Sequence, residues 1–283
     1  MSTNTIEGNP TKKFFIEMIT RDISIEDAII DLLDNSIDGA NKISPDDYSN
    51  LFIELTINDT EFSIRDNCGG FSLETAQKYA FRFGRPEEAP KVKNTVGRFG
   101  IGMKRSLFKI GKYFVVESES QQDHFKVEVN VDEWSKKTRQ VVVNGNQNTT
   151  IDDWSFNYEI INEDSKGYKG TYIHVTELNN EVKDLFADDS FLSDLVESIQ
   201  KLLNFSLLKG ITITLNGRKL IGQKNELLFS DSHKPYYAEG FWGDVKYRII
   251  AGLGEIGEPK KSGWYVYCNN RLILEADTSN ITG

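Results

Sequence analysis

The chain has 283 residues, 39% of them hydrophobic, with a formal net charge of −10. That length suits one large domain or two smaller ones with packed cores, and the acidity argues against a broad nucleic-acid-binding surface, because phosphate contacts come mainly from Lys and Arg patches. Cys68 and Cys268 lie far apart and the three histidines are scattered, which leaves neither a disulfide framework nor a zinc pattern.

Taken in order, the chain opens with a polar stretch, 1–9, that has no apolar signal core, and no later run approaches the roughly 20 apolar residues of a membrane span. A cytoplasmic protein with no membrane association is expected. An amphipathic helix is predicted over 10–21. The next stretch, SIEDAIIDLLDNSIDGA over 24–40, reads as a second helix with two opposed faces. Ser24 is a good N-cap, Asp27 completes a capping-box-like pair, and Gly39 sits where a helix would stop. At about 100° per residue, Ile25, Ile29, Leu32, Leu33, Ser36 and Ala40 fall on one side. Asp27, Asp31, Asn35 and Asp38 fall opposite, with Asp34 at the edge of their sector.

A hairpin is predicted over 51–65, ending in Asp66-Asn67-Cys68-Gly69-Gly70-Phe71. A helix is predicted over 72–83, then a charged surface loop over 84–94. The run Gly97-Arg98-Phe99-Gly100-Ile101-Gly102-Met103-Lys104 leads into a helix that ends near Gly111. Strands are predicted over 113–119, 124–131, 158–161 and 170–175, with a polar, Asn-rich stretch over 143–153. The absence of βαβ alternation points to an α+β fold: a mixed, largely antiparallel sheet with helices on one face. A boundary is predicted within 179–189, giving domains over 1–183 and 184–283. The second comprises a helix over 191–207, a hairpin with an Asn216-Gly217 turn in ITITLNGRKL, and strands over 241–251 and 263–274. Because the chain stops soon after an apolar strand, this second domain is expected to be incomplete at its C-terminal end.

Three of these pieces make chemical sense together. Gly97, Gly100 and Gly102 permit backbone shapes closed to residues with a Cβ, so that amides converge on phosphate oxygens at a helix N-terminus. The carboxylates facing them would repel a triphosphate unless a cation intervened, which implies Mg²⁺ held by the Asn35 amide together with phosphates and water. One turn earlier, Asp31 is placed to orient and deprotonate a water.

With these residues in view, the chain resembles the GHKL superfamily, named for gyrase, heat-shock chaperones, histidine kinases and MutL. The family's N-box matches Asp31-Leu32-Leu33-Asp34-Asn35; its first glycine box matches 66–70, its second 97–102, and its third the Gly170-Thr171 pair. Within the family the chain looks like the microrchidia (MORC) type, through FGIGMKRSLFKIG and the YCNNRLI segment over 267–273. The resemblance implies a Bergerat-type ATP-binding sandwich followed by a ribosomal-protein-like α/β transducer, with LNGRKL and CNNRLIL as strands of the latter.

It also implies roles. Asp66 would accept the adenine amino proton, with Gly70 beside it and Thr171 and a bridging water nearby; Asn35 would hold Mg²⁺; Asp31 would be the catalytic base. Lys104 and the backbone of Gly97, Gly100, Ile101, Gly102 and Met103 would meet the phosphates, and 71–96 would form a lid. There are departures. Asp31 stands where MORC, MutL, gyrase and chaperone members carry Glu, so hydrolysis is expected to be slow, and Cys68 replaces the first glycine of its box. The transducer's phosphate-sensing lysine is expected beyond Gly283. The function implied is an ATP-dependent clamp that homodimerises and acts on DNA or its complexes. The alternatives are a chaperone-like ATPase acting on proteins and a non-hydrolysing ATP switch.

Overall fold

The computed structural model describes residues 8–84, 101–143, 147–162, 167, 169–224, 227–254 and 257–279. Two helices open the chain, α1 (Lys12–Arg21) and α2 (Ile25–Ile43), followed by strands β1 (Phe52–Ile57) and β2 (Phe62–Asp66). A single helical turn, α3 (Leu73–Thr75), passes directly into five π-helical residues, Ala76–Ala80. Then come α4 (Gly102–Ile110), β3 (Gly111–Glu119), β4 (His124–Asn130), α5 (Val131–Lys136), β5 (Thr138–Val143), β6 (Gln147–Asp152), β7 (Tyr158–Ile160) and β8 (Gly170–Leu178). The rest comprises α6 (Asn180–Phe186), α7 (Asp189–Leu202), α8 (Asn204–Leu208), β9 (Thr212–Leu215), β10 (Arg218–Lys219), β11 (Tyr236–Trp242), β12 (Val245–Ala251), a 3₁₀ turn at Pro259–Lys261, β13 (Trp264–Cys268) and β14 (Arg271–Asp277).

Eight strands form one sheet in the order β10-β9-β1-β2-β8-β3-β4-β7, antiparallel except where β9 runs parallel to β1. Side chains alternate between the two faces of a strand, and one set is uniformly buried: Ile53, Leu55 and Ile57 on β1, Phe62 and Ile64 on β2, Phe114 and Val116 on β3, Phe125, Val127 and Val129 on β4. The opposite face carries charged pairs such as Arg65 with Glu54. A single buried face is what a helical layer on one side requires, as expected for an α+β sandwich. The apolar stripe of α2, from Ile25 through Ala40, supplies much of that layer and packs on α4. At its start the Ser24 hydroxyl accepts the Asp27 amide at 2.9 Å, the cap the sequence predicts.

α1 is held by an unusual tether. The fully buried Lys12 donates from Nζ to the carbonyls of Trp134 (2.7 Å) and Lys137 (2.6 Å), and lies 4.8 Å from the Trp134 ring centre. Trp134 in turn stacks on Phe156 at 5.1 Å in an aromatic cluster completed by Phe15, Phe83, Phe108 and Trp154.

Several expectations are corrected. α2 does not stop at Gly39 but runs on to Ile43; a Cβ at Gly39 would sit 2.5 Å from the Cys68 carbonyl oxygen, so this glycine serves close packing rather than termination. The helix predicted over 72–83 is one α turn plus the π segment, closed by Phe81 N–H to Ala76 O at 3.0 Å. The stretch 143–153 contains β6, paired with the preceding β5, and α5 was not foreseen. The helix predicted over 191–207 breaks at Leu203 into α7 and α8. Within 179–189 lies α6, whose Val182 and Phe186 enter the core. The hairpin ITITLNGRKL, read as part of the second domain, joins the eight-stranded sheet, with Ile213 opposite Ile53 and Leu215 opposite Leu55. The expected loop over 84–94 and the glycines at 97 and 100 fall almost wholly outside the described residues.

Because Ile213 and Ile53 are both fully buried neighbours in one sheet, Ile213→Ala and Ile53→Ala should move the same unfolding transition to lower urea, each lowering the unfolding free energy by about 2–5 kcal/mol. Urea titration followed by circular dichroism checks this; a transition moved by one variant and untouched by the other would contradict it.

Candidate functional site

The site is built around Asp66, the last residue of β2, which is 4% exposed. Its Oδ2 accepts the Ser36 hydroxyl at 2.6 Å, and Oδ1 accepts the backbone amides of Cys68 (2.8 Å) and Thr171 (3.2 Å). One carboxylate thus joins α2, the turn after β2 and the start of β8. Burial raises its pKa above the ordinary Asp value, and the three hydrogen bonds pull the other way. An ionised carboxylate offers about four acceptor positions, so one remains for a further donor.

The glycines nearby are required by contact. A Cβ at Gly170 would lie 1.8 Å from the Asp66 carbonyl oxygen, and Gly70, at φ +58°, would place one 2.3 Å from the Glu119 carbonyl oxygen. β8 can therefore approach the end of β2 only without a side chain at 170. Thr171 is held through its amide at this crossing.

On α2, Asp31 is partly buried and Asn35, one turn later, is exposed. Asp31 Oδ2 accepts Arg105 Nη2 at 2.7 Å, and a Cβ added to Gly102 would be 3.4 Å from that same oxygen. Asp31 therefore lies against the first residue of α4. The N-cap of α4 is Ile101; no side chain caps this end and its first turn has no acidic residue. Helix N-termini present amides that lack intrahelical acceptors and favour anions, so this end suits a phosphate. Met103 is half-buried against the core. At the other end of α4, Asn179 donates to the carbonyls of Phe108 and Lys109.

Lys104 does not project into solvent. It is 1% exposed, donates from Nζ to the Ala80 carbonyl at 2.5 Å and lies 5.6 Å from the Phe83 ring centre. Burial pulls its pKa down to about 7. Asp34, placed by periodicity at the edge of the polar sector, is buried, and Arg271 Nη1 donates to its Oδ2. Burial pushes Asp34 up to about 7 against the opposing pull of Arg271, with Asp31 and Asp38 adding to the rise.

The structure thus brings together Asp31, Asn35, Asp66, Gly70, Gly102 and Thr171 around α2, the β2 end and the α4 start; Gly97 and Gly100 lie outside the described residues. Sequence reasoning missed Ser36, Arg105 and Arg271. Ser36 fell on the apolar side of α2, and the only signal available was a hydroxyl among Ile and Leu. No group of three or more His, Cys, Asp or Glu among the described residues forms a metal cluster. A cation here would need phosphate oxygens beside Asn35, and the exposed amide, the neighbouring Asp31 and the uncapped α4 fit a Mg²⁺ carried by a polyphosphate. A cavity of about 560 Å³ lined by Leu73, Phe81, Phe83, Trp154, Phe156 and Tyr158 lies among other residues and includes none of these.

A one-sided sandwich with this polar end is the framework of a nucleotide-binding domain. Residues 23–167, half of the chain, match the model of the histidine kinase-, DNA gyrase B- and HSP90-like ATPases, and the chain belongs to that family. A comparison with curated proteins finds no match. The family's domain binds ATP, and the matched span contains Asp31, Asn35, Asp66 and the segment through Lys104. Among the described residues no helix is long and apolar enough to cross a membrane.

The buried Lys104 yields a test. Its folded pKa of about 7 lies below the ordinary 10.5, so between those values the unfolded chain holds a proton that the folded chain does not. Raising the pH through that window therefore stabilises the fold, by up to about 1.4 kcal/mol per pH unit. Urea unfolding at pH 7, 8 and 9 should show wild type gaining stability relative to Lys104→Met; parallel pH profiles would contradict a buried, proton-poor lysine.

Proposed function

We propose that this chain binds Mg·ATP between α2, the β2–β8 crossing and the N-terminus of α4, and hydrolyses it slowly. The observation that carries the reading is the Asp66 carboxylate, held by three protein donors with one acceptor position left over. In this reading that position takes the adenine amino group, with Gly70 and Thr171 beside it. Asn35 Oδ1 would hold Mg²⁺, which would supply charge neutralisation and polarisation at the phosphates. The amides of Ile101, Gly102 and Met103, with those of Gly97 and Gly100, bind phosphate oxygens. Lys104 joins them by leaving the Ala80 carbonyl.

Asp31 is the group that takes the proton from the attacking water. Arg105 holds its Oδ2, which leaves Oδ1 for that proton but limits how far the side chain can turn toward the water. Together with the short Asp side chain, this pairing supports a slow enzyme. It also favours a second reading, a switch that binds ATP without hydrolysing it.

Beyond the site, the MORC-like FGIGMKRSLFKIG and YCNNRLI segments support an ATP-dependent clamp. In it, 71–96 closes over nucleotide, two copies associate, and the residues after the eight-stranded sheet act as the transducer. DNA or its complexes are the clients proposed, reached through other surfaces, since the net charge of −10 does not favour this one.

The test is calorimetric ATP titration with and without Mg²⁺, run beside steady-state phosphate release. Asn35→Ala should lose at least tenfold in affinity, about 1.4 kcal/mol. Asp31→Asn should keep its affinity and lose roughly 10²-fold or more in turnover. An Asn35→Ala variant that binds as wild type removes the Mg²⁺ assignment, and an Asp31→Asn variant that turns over as wild type removes the base. A wild type that binds ATP without releasing phosphate selects the switch.

A further inference from the structure

Arg271 reaches α2 from far along the chain, 237 positions from its partner Asp34. The two side chains are 20% and 6% exposed, so the pair is largely shielded from water. Arg271 is aimed by its hairpin. Asn269 and Asn270 both have positive φ, 51° and 67°, the conformation a two-residue turn needs to match the twist of its strands, and they set Arg271 at the first position of β14. The hairpin is seated on α7 and α8: Leu272 is buried, the Tyr267 ring lies 4.3 Å from Phe205, and Lys201 pairs with Glu275 at 2.5 Å. Much of it stays open to solvent, including Ile273, Trp264 and Leu274.

On α2 the consecutive residues 34, 35 and 36 point in three directions about 100° apart. Asp34 meets Arg271, Asn35 is exposed, and Ser36 donates to Asp66. Asn35 is therefore bracketed by two buried polar anchors, one in the nucleotide domain's own sheet and one in the C-terminal hairpin. A roll of α2 that relaxed either anchor would carry Asn35 and Asp31 with it. Losing one member of a buried ion pair leaves an uncompensated charge, so α2 has a strong reason to follow Arg271.

We propose that Arg271 is a positioning residue for the nucleotide site, acting through Asp34 to fix the roll of α2 and thereby coupling the C-terminal hairpin to Asn35 and Asp31. Such coupling is reciprocal: nucleotide held at Asn35 steadies the hairpin, and a displaced hairpin weakens nucleotide binding. This inference rests on the Mg·ATP reading given above.

The experiment is hydrogen exchange over 264–277 with and without Mg·ATP, together with ATP affinity, on wild type, Arg271→Met, Arg271→Lys and the neutral pair Asp34→Asn with Arg271→Gln. Wild type should show slower exchange in the hairpin when ATP is bound. Arg271→Met should lose that response and at least tenfold in ATP affinity, while Arg271→Lys, which keeps the charge, recovers part of both. The neutral pair leaves no buried charge unpaired, so it keeps the fold available if Arg271→Met fails to fold; it should bind ATP but show a diminished hairpin response. A folded Arg271→Met or neutral-pair protein with wild-type affinity and wild-type hairpin response overturns the coupling. ATP binding to wild type that leaves hairpin exchange unchanged also overturns it while the nucleotide reading stands, and a wild type that binds no ATP overturns both.

Discussion

The Asp66 carboxylate is the constraint on which the rest of the site depends. Burying an ionisable group is costly unless it is hydrogen-bonded, and here the donors come from three separate parts of the chain: the Ser36 hydroxyl, the Cys68 amide and the Thr171 amide. Satisfying that carboxylate fixes the distance from α2 to the β2–β8 crossing. It also accounts for the absence of a side chain at Gly170, where a Cβ would overlap the Asp66 backbone. Gly39 completes the arrangement by letting α2 lie against the Cys68 carbonyl.

With α2 so placed, its polar residues divide by depth. Asn35 remains at the surface, Asp31 is tied to Arg105 at the start of α4, and Asp34 is buried with Arg271. A run that looks uniformly acidic in sequence therefore supplies an exposed amide, a carboxylate restrained by an ion pair and a structural anchor. Lys104 follows the same logic in reverse. Its burial against Phe83 and the Ala80 carbonyl holds a phosphate-binding candidate against the described residues that follow β2.

The apolar stripe of α2, the Ser24 cap, the strand alternation and the ordered glycine motifs could all be read from the chain, because each is a local pattern whose physical cause lies within a few residues. What was not legible depended on contacts across the chain. Ser36 has helical periodicity that places it among apolar residues, and only the position of Asp66 gives its hydroxyl a task. Gly39 looks like a helix stop, and only the nearness of Cys68 shows otherwise. ITITLNGRKL has the form of a free hairpin; its parallel pairing with β1, more than 150 residues away, is a choice made by the core. The β5–β6 hairpin was hidden by Asn and Thr, which read as loop until they pair. Arg271 carries no local sign that it meets Asp34.

The central claim, that Asp66 reads the base, is tested most directly by competing ATP against inosine triphosphate, which presents a 6-oxo acceptor in place of the adenine amino donor. A carboxylate facing that oxygen leaves two acceptors opposed. The account predicts that wild type favours ATP at least tenfold, about 1.4 kcal/mol. It predicts further that Asp66→Asn, whose amide can donate to the oxygen, loses or reverses that preference. Equal binding of both nucleotides by wild type would contradict it.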